Sequence, residues 1–405
     1  MKKRTGSTVA ADLSRFARIK GARPLVAGMF FYGIGTGILA PMNAIYLQVE
    51  IGLSKGQIAA IFAIALLLNM IATLTAGIYG DRMRRRKALP MAAAGLCIAG
   101  LLLYMRADGF GSALAGMALA TSPSGLILGQ LYALARSRFT REAADLVEMA
   151  LLWLRATFSV GFFGGLLLGA NLYIVTSFQG VLWGNLAGYA CLLLLLGLYQ
   201  PGEATGVKQA QAPSSAGEPF SAWMLAALLL LGCGDAIRGL YLPLVVNQLF
   251  GQAEIMSYLW SVQAVFELLF MTVTGYWAMR YGSKRVILLG SVFGLISYIA
   301  YASGPPLMLF FLVQPLHSFY VSIFYGVAMG YVQRMFIARA GFGASMYVLI
   351  TQAATMIGYV FPLVIKGISP SIFLIAVSLV LAAIACMVKS GLGGPGTGAS
   401  RELKA

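Results

Sequence analysis

Charged side chains are what this sequence has least of. Asp, Glu, Lys and Arg make up 10% of its 405 residues, whereas hydrophobic residues make up 60%. A soluble domain carries about a quarter charged residues and about half apolar ones. The scarcity of charge therefore excludes a soluble globular domain and indicates a protein that resides in a lipid bilayer.

Chemically reactive side chains are also few. The chain has one His and four Cys, and the cysteines fall in apolar runs without metal-ligand spacing, so we interpret them as small packing residues. The Walker loop, the Rossmann fingerprint and the nucleophile elbow are missing as well. The sequence thus predicts no metal and no other cofactor, and it supports neither ATP-driven transport nor enzymatic chemistry.

Long apolar runs dominate what is present. A helix needs roughly 20 residues to cross about 30 Å of hydrocarbon, and it satisfies its own backbone hydrogen bonds there. Two runs of small residues, GIGTG (33–37) and GFFGG (161–165), predict close helix packing. The predicted fold class is an all-α membrane protein. Its twelve predicted transmembrane helices are 25–49, 57–79, 88–105, 111–132, 146–170, 179–199, 220–247, 254–279, 286–304, 307–331, 343–367 and 370–388.

Lys and Arg collect on one side of the membrane when the connectors are counted alternately. That side includes both terminal segments, whereas the opposite side holds only Lys55, Arg106 and Lys366. Because basic connectors stay in the cytoplasm, both termini are predicted to be cytoplasmic. The net charge of +16 then forms a basic face against anionic lipid headgroups and requires no nucleic-acid partner.

The chain divides into two pseudo-symmetric halves. Residues 201–219, PGEATGVKQAQAPSSAGEP, are too polar to build a core and are typical of a linker. Two connectors, GIYGDRMRRRKALP (77–90) and GYWAMRYGSKR (275–285), repeat basic residues five, nine and ten positions after their first Gly. The predicted parts are a basic cytoplasmic N-terminal segment (1–24), a six-helix bundle (25–199), a cytoplasmic linker (200–219), a second six-helix bundle (220–388) and a cytoplasmic tail (389–405).

The first connector resembles the cytoplasmic signature of the major facilitator superfamily, Gly-x-x-x-Asp-Arg-x-Gly-Arg-Arg. Arg84 stands in place of the second Gly of that signature. The resemblance implies the major facilitator fold and gating roles for Asp81, Arg82 and Arg85, in which Asp81 pairs with the other bundle and latches one conformation. An ordinary solvated loop acid is the alternative for Asp81.

A narrower set of matches resembles the bacterial sugar efflux branch of that superfamily, which implies export of a sugar or sugar-like solute. Asp235 and Arg238 depart from the pattern of that branch, where the corresponding positions are uncharged, and this pair favours a zwitterionic or anionic substrate instead. The matches are AlaPro at 40–41 followed by IYLQVEIG, GQLYALAR at 129–136, Arg155, Glu267 eight residues before GYW, MRYGSKR at 279–285, and Gln333 with ArgAlaGly at 339–341.

Four charged residues lie near the middle of predicted helices, where each charge costs roughly 2.5–3.5 kcal/mol and requires a partner or a function. Asp235 and Arg238 are three residues apart and could neutralise each other on one helix face. Glu267 has no opposite charge within one turn of its own helix and is the leading proton carrier, with Asp235 as the second candidate. Arg155 is the expected charge partner or substrate clamp. A Glu267 that is bound only structurally to Arg155 or Arg238 is the alternative.

Other polar side chains recur at helical spacing and could line a substrate site. Interhelix hydrogen bonding without a functional role is the alternative for many of them. His317 is either a titrating group or a neutral core residue. The predicted substrate-binding residues are Tyr32, Asn43, Gln130, Arg155, Arg238, Trp260, Gln263, Gln314, His317, Thr351 and Thr355.

The sequence therefore predicts a proton-coupled secondary transporter that exports a sugar or sugar-like solute by alternating access. Export of a drug, siderophore or other charged metabolite is the second hypothesis, and a non-transporting membrane receptor or an intramembrane enzyme is a remote third. The expected partners are a small-molecule substrate, protons and membrane lipids, without nucleic acid, and the expected state is a monomer. The expected location is the bacterial cytoplasmic (inner) membrane.

Overall fold

The computed structural model describes residue 19 and residues 21–80, 87–143, 147–199, 218–336 and 340–391, and this part of the chain consists of helices joined by short connectors. A π-helical segment, Ile323–Ala328, joins two of the α-helices, and two 3₁₀ turns lie at Phe361–Val364 and Pro370–Ile372. The α-helices are α1 (Ala22–Leu39), α2 (Asn43–Val49), α3 (Lys55–Gly80), α4 (Ala88–Tyr104), α5 (Phe110–Thr121), α6 (Ser124–Glu142), α7 (Val147–Leu198), α8 (Ala222–Phe250), α9 (Glu254–Tyr281), α10 (Ser283–Ala302), α11 (Leu307–Ser322), α12 (Met329–Met335), α13 (Ala340–Val360) and α14 (Phe373–Lys389).

Ten helical stretches in the described part of the chain are long and apolar enough to cross a membrane. One of them lies within α7, whose 52 residues would extend about 78 Å if straight, more than twice the hydrocarbon thickness. Ser177, with φ 56° and ψ −157°, interrupts α7 and divides it into two arms. The 17-residue apolar helix α4 is a further stretch. Counted this way, the described helices account for all twelve predicted spans.

Several helix boundaries differ from the predicted ones at prolines. The first predicted span is interrupted at Pro41, between α1 and α2, and the fourth is interrupted at Pro123, between α5 and α6. The eleventh ends as a 3₁₀ turn that contains Pro362. Proline lacks the N–H that continues the helical hydrogen bonds, and its ring clashes with the preceding turn. The same helix-breaking chemistry thus acts at all three positions.

The helices group into two compact units. The first unit comprises Met1–Leu53 and Ile64–Ala210, and the second comprises Ser54–Ala63 and Gln211–Ala405. The predicted limits of the two six-helix bundles stay predictions. Residues 200–217 of the predicted linker lie outside the described residues, as do the predicted gating residues Asp81, Arg82 and Arg85.

Glycines bring α1 against both arms of α7 in the first unit. A Cβ added at Gly37 would lie 2.2 Å from the carbonyl oxygen of Phe162, and one added at Gly165 would lie 2.2 Å from that of Ile34. The second arm approaches from another side, where Asn185 Nδ2 donates to the carbonyl of Gly35 at 2.7 Å. The helix backbones therefore touch, and the close packing predicted from the small-residue runs is confirmed.

Hydroxyl groups tie together the helices of the second unit. Ser318 Oγ on α11 donates to the carbonyl of Gln263 on α9 at 3.0 Å, and Ser322 Oγ donates to that of Glu267 at 3.1 Å. Tyr320 on α11 reaches the carbonyl of Leu231 on α8 at 2.9 Å. These bonds set α8, α9 and α11 side by side and determine which of their polar side chains meet.

Candidate functional site

Large polar side chains are buried where α8, α9 and α11 meet in the second unit. Arg238 on α8 is 3% exposed, and Gln314 and His317 on α11 are fully buried. Burying a charged or polar group in apolar surroundings costs several kcal/mol unless it finds partners. We name the group formed by Asp235, Arg238, Gln263, Gln314, His317 and Tyr325 the polar cluster.

Arg238 is held by two amides from different helices. Its Nη2 donates to Gln263 Oε1 at 2.6 Å and to Gln314 Oε1 at 2.9 Å. The guanidinium carbon lies 5.9 Å from the centre of the Tyr301 ring, and the Tyr301 hydroxyl accepts from Gln314 Nε2 at 3.1 Å. Its Nε makes no hydrogen bond to any described residue. Arg238 therefore has a buried N–H donor, at Nε, without a partner among the described residues.

Asp235 contacts a different part of the polar cluster. Its Oδ2 accepts from the Tyr325 hydroxyl at 2.7 Å, and its Oδ1 lies 3.5 Å from His317 Nε2. Neither ring nitrogen of His317 makes a hydrogen bond within the described part of the chain. The rings of Tyr298 and Tyr320 flank the imidazole, with centroids at 5.7 and 5.4 Å. This separation is just beyond the reach of about 2.6–3.2 Å for direct proton transfer, so a proton would pass between the two groups after a small approach or through one water.

Asp235 and Arg238 thus have different partners, although their spacing on α8 allowed mutual neutralisation. The Arg238 side chain reaches Gln263 and Gln314, whereas Asp235 reaches His317 and Tyr325. Helix neighbours decide the direction of a side chain that sequence spacing leaves open.

Tyr325 was missed by the sequence reasoning. It lies in the π-helical segment Ile323–Ala328, and the carbonyl of its neighbour Phe324 accepts from the Tyr347 hydroxyl at 2.6 Å. Its position eight residues after His317 places the two on one helix face, a spacing that could have pointed to it. The π-helical geometry had no signal in the apolar pattern, and such segments occur frequently at functional sites.

The family is shown by comparison with known proteins. Residues 25–260 match the model of the Major Facilitator Superfamily, which is more than half of the chain. The chain belongs to the major facilitator superfamily. It is a multi-pass membrane transporter for small molecules and not an enzyme.

Bacterial relatives resemble this superfamily member over most of its length. A protein of Deinococcus radiodurans that carries sugar efflux in its name is 25% identical over 338 residues, which cover 80% of this chain and 85% of the relative. Sugar efflux transporter A of Escherichia coli is 22% identical over 328 residues, covering 78% and 82%. Bacterial relatives of a multi-pass transporter imply a bacterial inner membrane.

Solved structures support the fold of this superfamily member. The nucleoside transporter NupG superposes with a TM-score of 0.73 at 14% identity, covering 91% of this chain and 97% of that chain. A bacterial homologue of the iron transporter ferroportin in an inward-facing state superposes with a TM-score of 0.69 at 17% identity, covering 95% and 99%. At such identity the likeness shows the fold alone.

The remaining predicted residues of this transporter's second unit have simpler surroundings. The hydroxyls of Thr351 and Thr355 donate to carbonyls of their own helix at 2.9 and 2.8 Å, which satisfies them locally. The Trp260 Nε1 group is buried and makes no hydrogen bond to a described residue. Glu267 is half-buried on α9, where Ser322 holds its backbone carbonyl. Its role as a proton carrier stays a prediction.

Predicted residues in the first unit of this transporter belong to separate surroundings. The Tyr32 hydroxyl donates to the carbonyl of Ser124 at 3.0 Å, and Asn43 Oδ1 accepts from the Tyr104 hydroxyl at 2.8 Å. These two bonds join α1 and α2 to neighbouring helices. Gln130 is half-buried on α6 and Arg155 is exposed on α7. Within the described residues, no group of three His, Cys, Asp or Glu side chains could hold a metal ion.

Proposed function

We propose that this transporter exports a sugar or sugar-like solute and couples export to proton movement by alternating access. The observation that carries the proposal is the polar cluster, where neutral hydrogen-bonding groups adjoin a carboxylate and an imidazole that can exchange a proton. The relatives support the sugar part, because three bacterial proteins at 22–25% identity carry sugar efflux in their names.

The substrate half of the site suits a solute with many hydroxyl groups. Sugar hydroxyls both donate and accept, and the half-buried amide of Gln263 offers both functions, whereas both N–H groups of the buried Gln314 already donate to Tyr301 and Phe310. Arg238 Nε and Trp260 Nε1 are buried donors without a partner among the described residues, and a bound hydroxyl oxygen would satisfy either one. The half-buried indole of Trp260 supplies apolar surface for a sugar ring face.

In this proposal the proton binds at Asp235, with His317 and Tyr325 as neighbours, and Glu267 is the competing carrier. A proton on Asp235 removes its negative charge and weakens its attraction to both neighbours. Tyr325 lies in the π-helical segment, so the change reaches the backbone of that segment. The charge of the polar cluster then depends on whether Asp235 carries the proton. Such a change of charge can shift the balance between two conformations.

Gating in this proposal uses the cytoplasmic signature. Asp81, Arg82 and Arg85 latch one access state, as the family resemblance implies, and proton binding in the polar cluster releases that state. The three residues act on the equilibrium between states and not on the affinity for solute. The role of Arg155 as a substrate clamp or charge partner stays a prediction from the sequence.

The test uses the purified protein in proteoliposomes with an imposed proton gradient and a panel of labelled mono- and disaccharides. We expect gradient-driven flux of at least one sugar. Asp235→Asn mimics the protonated state permanently, so gradient-driven flux should collapse while exchange of labelled for unlabelled sugar continues. Glu267→Gln should retain more gradient-driven flux than Asp235→Asn.

Glu254→Gln is the matched control, because it removes an acid from the first turn of α9, away from the polar cluster. It should transport as the unmodified protein does. If Glu267→Gln loses coupling while Asp235→Asn keeps it, Glu267 is the carrier and the assignment to Asp235 is wrong. If no sugar moves under any gradient, the sugar proposal is wrong.

A charged or zwitterionic solute is the second candidate, and the buried charge of Arg238 favours it. Both partners of its Nη2 are neutral amides, so the charge is available to a carboxylate on a solute. The same proteoliposome panel should therefore include sugar acids and amino acids. Transport of these solutes without any neutral sugar would select this candidate.

A further inference from the structure

A cavity with polar walls lies in the second unit, and no residue of the polar cluster lines it. Its volume is about 780 Å³, which is within the usual range of small-molecule sites. Arg280 lines it from the end of α9, Ser283 and Arg285 from the start of α10, Arg334 from α12, and Glu218 from the residues before α8. We name this space the arginine cavity.

The arginine cavity carries an excess of positive charge. Three guanidinium groups and a single carboxylate, that of Glu218, line it. Arg334 donates to the Ser283 hydroxyl, and Arg280 lies over the ring of Tyr281 with its carbon 5.4 Å from the centroid. No ion pair within 4.0 Å joins any of the three arginines to an acid in the described part of the chain. A concave surface with uncompensated charge of one sign attracts ligands of the opposite sign.

The donors that line the cavity match a phosphate group. A guanidinium presents its N–H groups as a planar fork that binds phosphate oxygens in pairs. Helix α10 begins at Ser283, directly after Gly282 with φ 88°, and Gly282, Ser283 and Arg285 of this helix start line the same space. The helix start adds to the arginines and would not form a site without them.

The rim of the cavity is apolar and exposed. Met279 and Tyr281 line it with 81% and 50% of their surfaces exposed. The connector between α9 and α10 is on the side that the distribution of cations predicts to be cytoplasmic. A charged pocket beside an apolar rim at that level suits a molecule with a phosphate head and an apolar tail, and anionic phospholipids are attracted to basic surfaces of this kind.

We propose that the arginine cavity is a binding site for a phosphate group, carried by an anionic phospholipid of the inner leaflet or by a soluble phosphorylated compound. The site is separate from the transported solute and does not rest on the proposed function. The two sources share one chemistry, which is recognition of a phosphate by Arg280, Arg285 and Arg334.

The experiment compares two double variants of the full chain that each remove two cations. Arg280→Gln with Arg285→Gln removes two arginines of the cavity. Lys284→Gln with Lys389→Gln is the matched control, because Lys284 donates to the carbonyl of Gly391 and Lys389 lies over the ring of Trp223, and neither lines the cavity.

The soluble arm titrates inorganic phosphate and pyrophosphate against the purified protein in neutral detergent and measures the dissociation constant. The lipid arm reconstitutes the protein in phosphatidylcholine with phosphatidylglycerol, and counts retained phosphatidylglycerol by native mass spectrometry. Each arginine removed should weaken binding about fivefold, whereas the control pair should bind as the unmodified protein does.

If the protein binds the soluble probes and the Arg280→Gln, Arg285→Gln variant loses that binding, the ligand is a soluble phosphate compound. If this variant loses binding only in the lipid arm, the ligand is a phospholipid. The proposal is wrong if neither probe binds, or if the control pair loses binding as much as the arginine pair. Unfolding temperatures without ligand identify a misfolded variant. Arg285→Gln alone then replaces the pair and is expected to show the single fivefold loss.

Discussion

Arg238 is a buried cation that neutral side chains stabilise. Gln263 and Gln314 approach its Nη2 from α9 and α11, and the Tyr301 ring lies beside the guanidinium. Replacing a buried charge by an apolar residue of similar size is often neutral or stabilising, whereas removing one partner leaves the charge uncompensated. Stability and transport should therefore respond in opposite orders. Removing a partner should lower stability more than replacing Arg238 does, whereas replacing Arg238 should affect transport more if it binds solute.

We expect Gln314→Leu to lower the free energy of unfolding by about 1–3 kcal/mol, because it leaves Arg238 buried with one acceptor fewer. Arg238→Met should unfold at the same temperature as the unmodified protein or a higher one, yet lose solute transport. Thermal unfolding in detergent and flux in proteoliposomes measure the two effects. Gln352→Leu is the control, since Gln352 makes no side-chain hydrogen bond to a described residue. An Arg238→Met variant that transports normally would exclude a role for Arg238 in solute binding.

Helix packing in the first unit depends on backbone contact between α1 and α7. Gly165 faces the carbonyl of Ile34, where an added Cβ would lie 2.2 Å away, whereas the neighbouring Gly164 has open space around its Cβ position. In lipid, where hydrophobic burial does not favour one helix over another, close packing at small residues supplies much of the association. Adjacent glycines in one helix thus have different structural requirements.

Gly165→Ala should therefore destabilise the protein by about 1–3 kcal/mol, because its methyl group forces α1 and α7 apart. Gly164→Ala places the same methyl group in open space and should be neutral or slightly stabilising, since alanine favours a helix more than glycine does. The midpoints of thermal unfolding of the two purified variants give the comparison. Equal midpoints would contradict the close approach of the two backbones.

At the scale of the whole molecule, the distribution of cations predicts orientation. The described helices reproduce the predicted number of crossings, and an even number brings both termini to one side. The basic residues of alternate connectors predict that this side is the cytoplasm. Fold and orientation are separate properties, because the same helices could be inserted either way if the charges of the connectors were exchanged.

Reporter fusions should give a cytoplasmic signal at the C-terminus and at Lys208 of the predicted linker. A fusion in the connector at Asp108, between α4 and α5, is the control and should give a periplasmic signal. Paired alkaline phosphatase and fluorescent protein reporters measure both cases. A periplasmic signal at Lys208 would overturn the orientation and the count of helices before it.

The sequence by itself determined the class of protein, the number of membrane crossings and the family. A crossing is a requirement on the length and polarity of a continuous segment, so a linear pattern is enough to find it. The signature after Gly77 is likewise a local pattern. The close approach of α1 and α7 was also visible, because glycine runs allow few other arrangements of packed helices.

Only the tertiary structure decided which polar side chains meet. The spacing of Asp235 and Arg238 predicted a shared face, but the direction of each side chain depends on the helices that pack beside α8. Tyr325, in the π-helical segment that follows α11, donates a hydrogen bond to Asp235. The apolar pattern of the sequence indicates neither the π-helical segment nor this contact. Contacts between helices arise from rotation and packing in three dimensions, and a pattern read along one helix cannot specify them.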